Sequence, residues 1–172
     1  DKRFDGFSIN GTGRVTRSVS NNLISDIANE NVSFQQTYNA SITTTFFKKL
    51  NIDIGLEKTF NNYEGNNTSS KFENNKPFIN LDVSFLNGFR LDVDYEYNNY
   101  QNKASGVQSD FEILDAELAY RMGKSAWEFK VEGMNLLNTT GVRRDSFSES
   151  LISTYEYFIQ KRFWLLSVVY DL

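Results

Sequence analysis

The 172-residue chain contains no cysteine, no histidine and one proline. Each absence removes a class of protein. Without cysteine there is no disulfide scaffold, thiolate zinc site or cysteine nucleophile, and without histidine no His-based triad. No stretch approaches the roughly 18 consecutive apolar residues that a membrane-crossing helix requires, so passage through a bilayer by helices is excluded. A solitary proline suits long continuous strands, whose ladders it would otherwise interrupt. Basic residues are also in short supply, 18 against 22 acidic ones, giving a formal charge of −4 and a pI near 4.9. That balance argues against nucleic acid as a partner, which would want a basic face.

What is present is an unusual pairing. Mean hydropathy is −0.48, polar on average, yet aromatic residues make up 15 % of the chain. A membrane β-barrel has that composition, because its inward residues are polar and its two interfaces carry aromatic girdles. Nothing in the composition divides residues 1–172, so they read as a single barrel region. The chain starts at Asp1 with neither an initiating Met nor a signal peptide. For an exported protein this predicts a mature form or a fragment.

The C-terminal stretch, RFWLLSVVYDL, carries the argument for lipid. Trp164, Leu166, Val168, Tyr170 and Leu172 recur every second residue and share one face of a strand. An apolar face of that length needs a cover, and no amphipathic helix or second apolar sheet is available in the sequence. In a closed antiparallel barrel the cover is the bilayer, and the backbone groups are satisfied between strands.

The same period predicts seven further strands, so that the set is about 5–19, 31–47, 51–63, 76–86, 89–102, 109–122, 126–137 and 153–172. The central hairpin is the clearest. Ile79, Leu81, Val83 and Phe85 alternate with polar residues up to Asn87-Gly88, a pair favoured in two-residue hairpin turns. Phe89, Leu91, Val93, Tyr95 and Tyr97 then alternate with Arg90, Asp92, Asp94, Glu96 and Asn98. Short connections are expected at 48–51, 87–88 and 123–125, and longer loops at 20–30, 65–75, 103–108 and 138–150. Strict alternation of short and long is what periplasmic turns on one rim and external loops on the other produce. The fold class is thus all-β, an antiparallel up-and-down transmembrane barrel with eight strands in this chain.

The faces opposite the apolar ones are charged. They carry Asp82, Arg90, Asp92, Asp94, Glu96, Asp115, Glu117, Arg121, Glu128, Lys130 and Glu132, with Arg14, Asp53 and Glu57 on the earlier strands. Four cations against ten anions leave six uncompensated negative charges facing inward. An eight-stranded barrel is just wide enough for side chains to fill, and buried unpaired carboxylates cost several kcal/mol each. A wider, wet lumen is the preferred reading, and a complete eight-stranded barrel is the alternative. Tyr95, Tyr97, Tyr120, Trp127 and Trp164 are candidates for anchoring at the membrane interfaces.

The stretch VEGMNLLNTTGV at 131–142 and the last twenty residues resemble the C-terminal end of TonB-dependent-receptor-like outer-membrane proteins of the Bacteroidetes type. The resemblance rests on Leu136-Leu137-Asn138 at the end of a penultimate strand and on Arg162-Phe163-Trp164 opening the last. It is supported by the Asn87-Gly88-Phe89 hairpin and the Asn/Ser/Thr-rich strands. It implies a porin-like wall for nutrient uptake across the outer membrane of a Gram-negative bacterium, with an upstream plug domain or a surface lipoprotein as partner. It also implies that Trp164 to Leu172 is the strand read by the barrel-assembly machinery, with Leu172 standing where Phe is commoner. A structural or adhesion module, and a client or component of assembly or secretion machinery, are the other readings.

Sharper chemistry is not favoured. Asp92, Asp94 and Glu96 form a D-x-D-x-E series, but a calcium loop needs a Gly at its sixth position and a distal Glu. The carboxylate pairs lack a nucleophile or an oxyanion donor, so neither an enzyme nor a cofactor is expected. Arg143, Arg144 and Lys58 are candidates for contact with lipopolysaccharide phosphates.

Overall fold

A computed structural model of the chain describes residues 2–4, 6–24, 27–44, 49–65, 69–103, 106–123, 125–147 and 152–171. Every regular element among them is a β-strand. In chain order these are β1 (Lys2–Phe4), β2 (Phe7–Ile24), β3 (Ile27–Thr44), β4 (Leu50–Glu64), β5 (Ser69–Phe85), β6 (Phe89–Asn102), β7 (Val107–Arg121), β8 (Trp127–Met134), β9 (Gly141–Phe147), β10 (Ile152–Phe158) and β11 (Phe163–Tyr170). Nine form one sheet in the order β1-β2-β3-β4-β5-β6-β7-β8-β11, and β9 pairs with β10 in a separate hairpin. All pairings are antiparallel. The sheet is therefore up-and-down, and among the described residues it is not closed, since β1 and β11 lie at opposite edges.

Register turns the sequence period into continuous rows. Ile9, Ile42, Ile54, Ile79, Tyr95 and Leu114 stand directly opposite one another on six successive strands. The next row holds Ile52, Leu81, Val93, Ala116, Gly133 and Trp164, and the one after it Leu50, Val83, Leu91, Leu118, Val131 and Leu166. A one-residue slip would turn every one of these to the other face.

The exposure pattern of an ordinary sheet is inverted. On the apolar face Trp164 is 61 %, Leu166 81 % and Val168 60 % exposed. All the buried residues of β3 to β7, which are Asn31, Tyr63, Ser70, Phe72, Asn98, Asn102, Phe111 and Ala119, lie on the polar face. Closer packing over the polar face than over the apolar one is what curvature toward the polar side of a barrel wall produces, so the polar face is called concave below and the apolar face convex.

The apolar band also runs obliquely. Its last member is Tyr38 on β3, Leu56 on β4, Pro77 on β5, Tyr97 on β6, Leu114 on β7 and Trp164 on β11. Followed through the register, Tyr38 leads across to Asp110 on β7. Trp164 leads through Gly133 to Ala116, six residues further along the same strand. A drift of six residues over six inter-strand steps, at about 3.4 Å per residue and 4.8 Å per step, is a strand tilt of about 35°. On β6 the band spans Phe89 to Tyr97. That is about 27 Å along the strand and about 22 Å along the normal at this tilt, close to the height of a barrel's lipid-facing belt.

Several expected loops are strands. Residues 20–24 and 27–30 continue the β2–β3 ladder out to the pair Ile24↔Ile27, and 69–75 pair with β4. Their sequences do not alternate because beyond the apolar band neither face has to be hydrophobic, while the backbone ladder still forms. The expected 103–108 loop is shorter, with β7 starting at Val107. The expected 138–150 loop contains β9. The alternation of connection length survives as strand length: β2 and β3 have 18 residues each, more than the 9–11 or so that cross a bilayer. The 153–172 strand is two elements, and only β11 joins the large sheet. The Asn87-Gly88 turn is a three-residue loop, Leu86 to Gly88, between the paired Phe85 and Phe89. Leu86 (φ 46°) and Gly88 (φ 104°) both take positive φ. A Cβ at Gly88 would lie 2.0 Å from the Arg121 carbonyl oxygen, so only glycine fits there. Of the expected 48–51 turn, Leu50 and Asn51 already belong to β4, and Lys48, like Leu172, lies outside the described residues.

Candidate functional site

The concave face gathers the charged residues into rows. Asp53, Asn80, Asp94 and Asp115 are direct cross-strand partners, and so are Asn51, Asp82, Asp92, Glu117 and Glu132 in the next row. Four of these steps, Asp82↔Asp92, Asp92↔Glu117, Asp94↔Asp115 and Glu117↔Glu132, set like charges directly opposite, an arrangement that normally destabilises a sheet.

Half of this wall is neutralised by a continuous chain of ion pairs. Arg90 Nε donates to Asp92 at 2.8 Å and its Nη2 to Glu117 at 3.1 Å. Lys130 lies 3.3 Å from the same Glu117 oxygen and 3.5 Å from Glu128. Arg121 then grips Glu128 and Asp171, each at 2.7 Å. Buried Ala119 sits between Arg90 and Lys130 in its row. Its small side chain lets both cations reach Glu117 from opposite sides.

The other half stays acidic. A recess of about 530 Å³ is lined by Glu57, Lys76, Asn80, Asp94, Glu96 and Asp115 among others. Lys76 pairs with Glu96 at 2.8 Å. Asp53 accepts a hydrogen bond from Thr43 Oγ1 at 2.9 Å, and Asp115 accepts one from the Asn135 amide at 2.6 Å. No group of three metal-ligating side chains occurs among the described residues. The concave wall thus offers charge to a wet space, in a graded form: paired near β8 and β11, open and anionic over β4 to β7.

A family model described as the outer membrane protein beta-barrel family matches residues 6–170. The chain belongs to this family. No curated protein and no solved structure matches it. Membership of the outer membrane β-barrel family places the chain in the outer membrane of a Gram-negative bacterium. In barrels of this kind the apolar face meets lipid and the polar face lines the interior.

The rims can then be read. Phe85 and Phe89 stack at 5.6 Å, Phe89 and Tyr120 lie 4.4 Å apart, and Trp127 and Tyr170 4.7 Å apart. These rings form a cluster, here called the girdle, at the short-turn end of the sheet, and membrane β-barrels carry aromatic girdles at their interfaces. Of the five aromatics singled out from sequence, Tyr120 and Trp127 stand in this girdle, while Tyr97 and Trp164 end the band on the opposite side of their own strands. Tyr95 sits a row inside Tyr97, among isoleucines. Phe85, Phe89 and Tyr170 belong to the girdle as well, and their position beside the turns at Gly88 and Gly123 is the sequence signal for it.

The Leu-Leu-Asn segment has a structural role that the period cannot reveal. Asn135, buried and at φ 50°, donates through Nδ2 to the carbonyls of Thr139 (2.7 Å) and Gln160 (2.8 Å) and accepts from the Thr139 amide at 2.9 Å. Asn138, at φ 59°, accepts from the Arg162 amide at 3.2 Å, and Arg162 Nη1 reaches the Leu136 carbonyl at 3.4 Å. Together they clasp the base of the β9–β10 hairpin and set where β11 begins. This is why the chain between Phe158 and Phe163 leaves the ladder. The signal available in sequence was an Asn at each end of the Asn-Leu-Leu-Asn run, since Asn tolerates positive φ better than most residues.

Proposed function

We propose that the chain forms the C-terminal strands of a TonB-dependent-receptor-like barrel of the Bacteroidetes type, serving as channel wall for nutrient uptake. The observation that carries this reading is the concave face. Direct carboxylate pairs on adjacent strands are tolerable beside water and costly in a sealed interior. Among the described residues β1 and β11 leave free edges, which supports it, because a wider barrel needs further strands there. The resemblance at Leu136-Leu137-Asn138 and Arg162-Phe163-Trp164 supplies the transporter class, and a plug domain or a surface lipoprotein is the partner it implies. Intact-mass measurement of the natural protein extracted from outer membranes tests the reading. A product well above 19.9 kDa, with strands and a plug upstream, is expected. A species at that mass would instead support a complete small barrel acting as a structural or adhesion module.

A second reading concerns β11 alone. One edge of this strand pairs with β8, the other has no partner among the described residues, and its outward side chains are Trp164, Leu166, Val168 and Tyr170. Such a strand suits recognition by the barrel-assembly machinery through β-augmentation. Photocrosslinkers at Phe163 or Ser167 should capture an assembly component during biogenesis, and failure to do so removes this role.

A further inference from the structure

The half of β7 that lies away from the girdle has an open edge. Its ladder with β8 covers Ala116 to Arg121 only, so Val107 to Asp115 have β6 on one side and, among the described residues, no paired strand on the other. Alternation decides which groups face the open side. The Arg121 amide donates to the Gly88 carbonyl on the β6 side, whereas the Leu114 carbonyl accepts from the Leu136 amide at 2.7 Å and the Glu112 carbonyl from the Thr139 hydroxyl. Even-numbered residues of β7 therefore direct their main-chain groups away from β6. Asp110 and Gln108 come next in that series, and among the described residues their main chain has no partner on this side.

The β9–β10 hairpin presents a matching edge. The Thr140 carbonyl accepts from the Ile159 amide at 3.3 Å, so the main-chain groups of Val142 and Arg144 turn to β10 and those of Gly141 and Arg143 turn away from it. β9 runs beside β7, and a recess of about 300 Å³ opens there, lined by Gln108, Ser109, Gly141, Val142, Glu156 and Tyr157 among others. Val142 is buried, whereas Tyr155, Tyr157 and Phe158 on β10 are exposed. The hairpin is thus held at its base, by the clasp of Asn135, Asn138 and Arg162, and its far strand carries no cover.

We propose that this hairpin is a strap that closes on β7, pairing Asp110 with Gly141 and Gln108 with Arg143 and sealing the wall at the end opposite the girdle. The inference rests on the barrel reading above and adds a moving part to it. Two unpaired strand edges that face each other are templates for pairing. The register follows from a contact already made, since continuing the Glu112–Thr139 pair by two residues on each strand brings Asp110 to Gly141. Nothing obstructs the approach there, because a Cβ at Gly141 would meet no atom within 4 Å. The pivot is also present: both strands of the hairpin are interrupted at one level, by Asn135 and Asn138 at positive φ on one side and by residues 159–162 on the other. The recess is at the small end for a ligand pocket, and the facing strand is what fills it.

The test uses the full-length protein folded into lipid vesicles, and the chain has no cysteine to interfere. Ser109→Cys with Val142→Cys puts two thiols on a non-hydrogen-bonded pair of the closed strap, with Cα atoms about 4.5 Å apart, and mild oxidation should join them. Ser109→Cys with Tyr157→Cys is the control. Both of its residues line the recess, but closure places β9 between them at about 10 Å, so this pair should crosslink about tenfold more slowly or not at all. Arg143→Pro, added to the first pair, removes an amide that faces β7 and none that faces β10. It should slow crosslinking about fivefold, the equivalent of one backbone hydrogen bond of about 1 kcal/mol. In the unmodified protein the Gln108 and Asp110 amides should exchange about tenfold more slowly than free ones. No crosslink in the first pair, equal crosslinking of both pairs, indifference to Arg143→Pro, or unprotected amides at Gln108 and Asp110 would each overturn the strap. Heat-modifiable migration on the same samples separates the two levels: a protein that never inserts as a barrel refutes the barrel reading, whereas an inserted barrel that fails these tests refutes only the strap.

Discussion

Asn135 is the residue at which a single change should be most informative. Its side chain makes three hydrogen bonds, and the residue is buried at φ 50°. Replacement by Ala removes all three, at about 1 kcal/mol net each, and holds a Cβ in the left-handed region without a compensating side chain, for roughly 1 kcal/mol more. The expected cost is about 4 kcal/mol. Asn135→Gly loses the same bonds but relieves the backbone, so it should cost about 3 kcal/mol. Both variants should lose the anchor of residues 160–162 before they lose the sheet. Hydrogen exchange should therefore quicken first at Thr139, whose amide bonds to the Asn135 side chain, and at Arg162, held by the adjoining Asn138. Urea unfolding in micelles gives the global figure and amide exchange the local one. An Asn135→Ala protein within about 1 kcal/mol of wild type would refute the clasp, and an Asn135→Gly protein less stable than Asn135→Ala would refute the backbone part of the argument.

Leu166→Arg, in the centre of the convex band, should cost about 2–4 kcal/mol of folding into lipid vesicles, while Ser167→Arg on the concave face should cost little. A reversed order would mean that the two faces have been exchanged. Gly55→Ala should cost about 1–3 kcal/mol in a urea titration, because the added Cβ would lie 2.3 Å from Phe78 Cζ and 2.9 Å from the Ala40 carbonyl oxygen. Phe78→Leu in the same chain should recover part of that loss. Glu73 lies beyond the apolar band, and the hydrogen bond from Lys103 holds its carboxyl below the usual range. Its depressed pKa makes the pair stabilising above the ordinary carboxylate pKa and lost as pH falls through the lowered value. Between two exposed partners the effect is on the order of half a kcal/mol, and Glu73→Gln should abolish this part of the acid sensitivity.

The sequence disclosed whatever the bilayer dictates and concealed what it does not. Between Ile79 and Tyr97 one face meets lipid and the other water, so the period of two is complete and the strands are legible. From Ser20 to Ile24, from Ile27 to Glu30 and from Ser69 to Asn75 the strands run beyond the apolar band, and the ladders formed there leave no alternating hydrophobic trace. The carboxylates of the polar face were legible as one face because each is out of phase with an apolar neighbour. Their partition into a paired chain from Asp92 to Asp171 and an open cluster around Asp94 was not, since it depends on register. Ser84, Arg90, Ala119, Lys130 and Ser167 come from five strands and share a row only once every turn is fixed. The break at 159–162 was hidden for a different reason: Ile152–Phe158 and Phe163–Tyr170 are both strands, and what separates them is a hydrogen-bonded clasp twenty-odd residues upstream.

The tilt and the charge together bear on the width of the barrel. At about 35° and a strand spacing of about 4.8 Å, eight strands close at a backbone radius of about 8 Å, and twenty-two strands at about 21 Å. Inward carboxylates extend several ångströms from the backbone, so at the smaller radius Asp53, Asp82, Asp94, Asp115 and Glu132 would converge on one axis with little room for water. The ion-pair chain cannot relieve them, because Arg90, Lys130 and Arg121 are already committed to Asp92, Glu117, Glu128 and Asp171. At the larger radius the same side chains look across a water-filled space and keep their hydration, and the like-charged pairs then cost little. Width, on this argument, is set less by the number of strands the chain can supply than by what its carboxylates can bear. Asp82→Asn with Asp94→Asn should therefore change the stability of a wide barrel by under about 1 kcal/mol. A gain of several kcal/mol in vesicle-unfolding experiments, the relief expected for sealed charges, would return the argument to a narrow one.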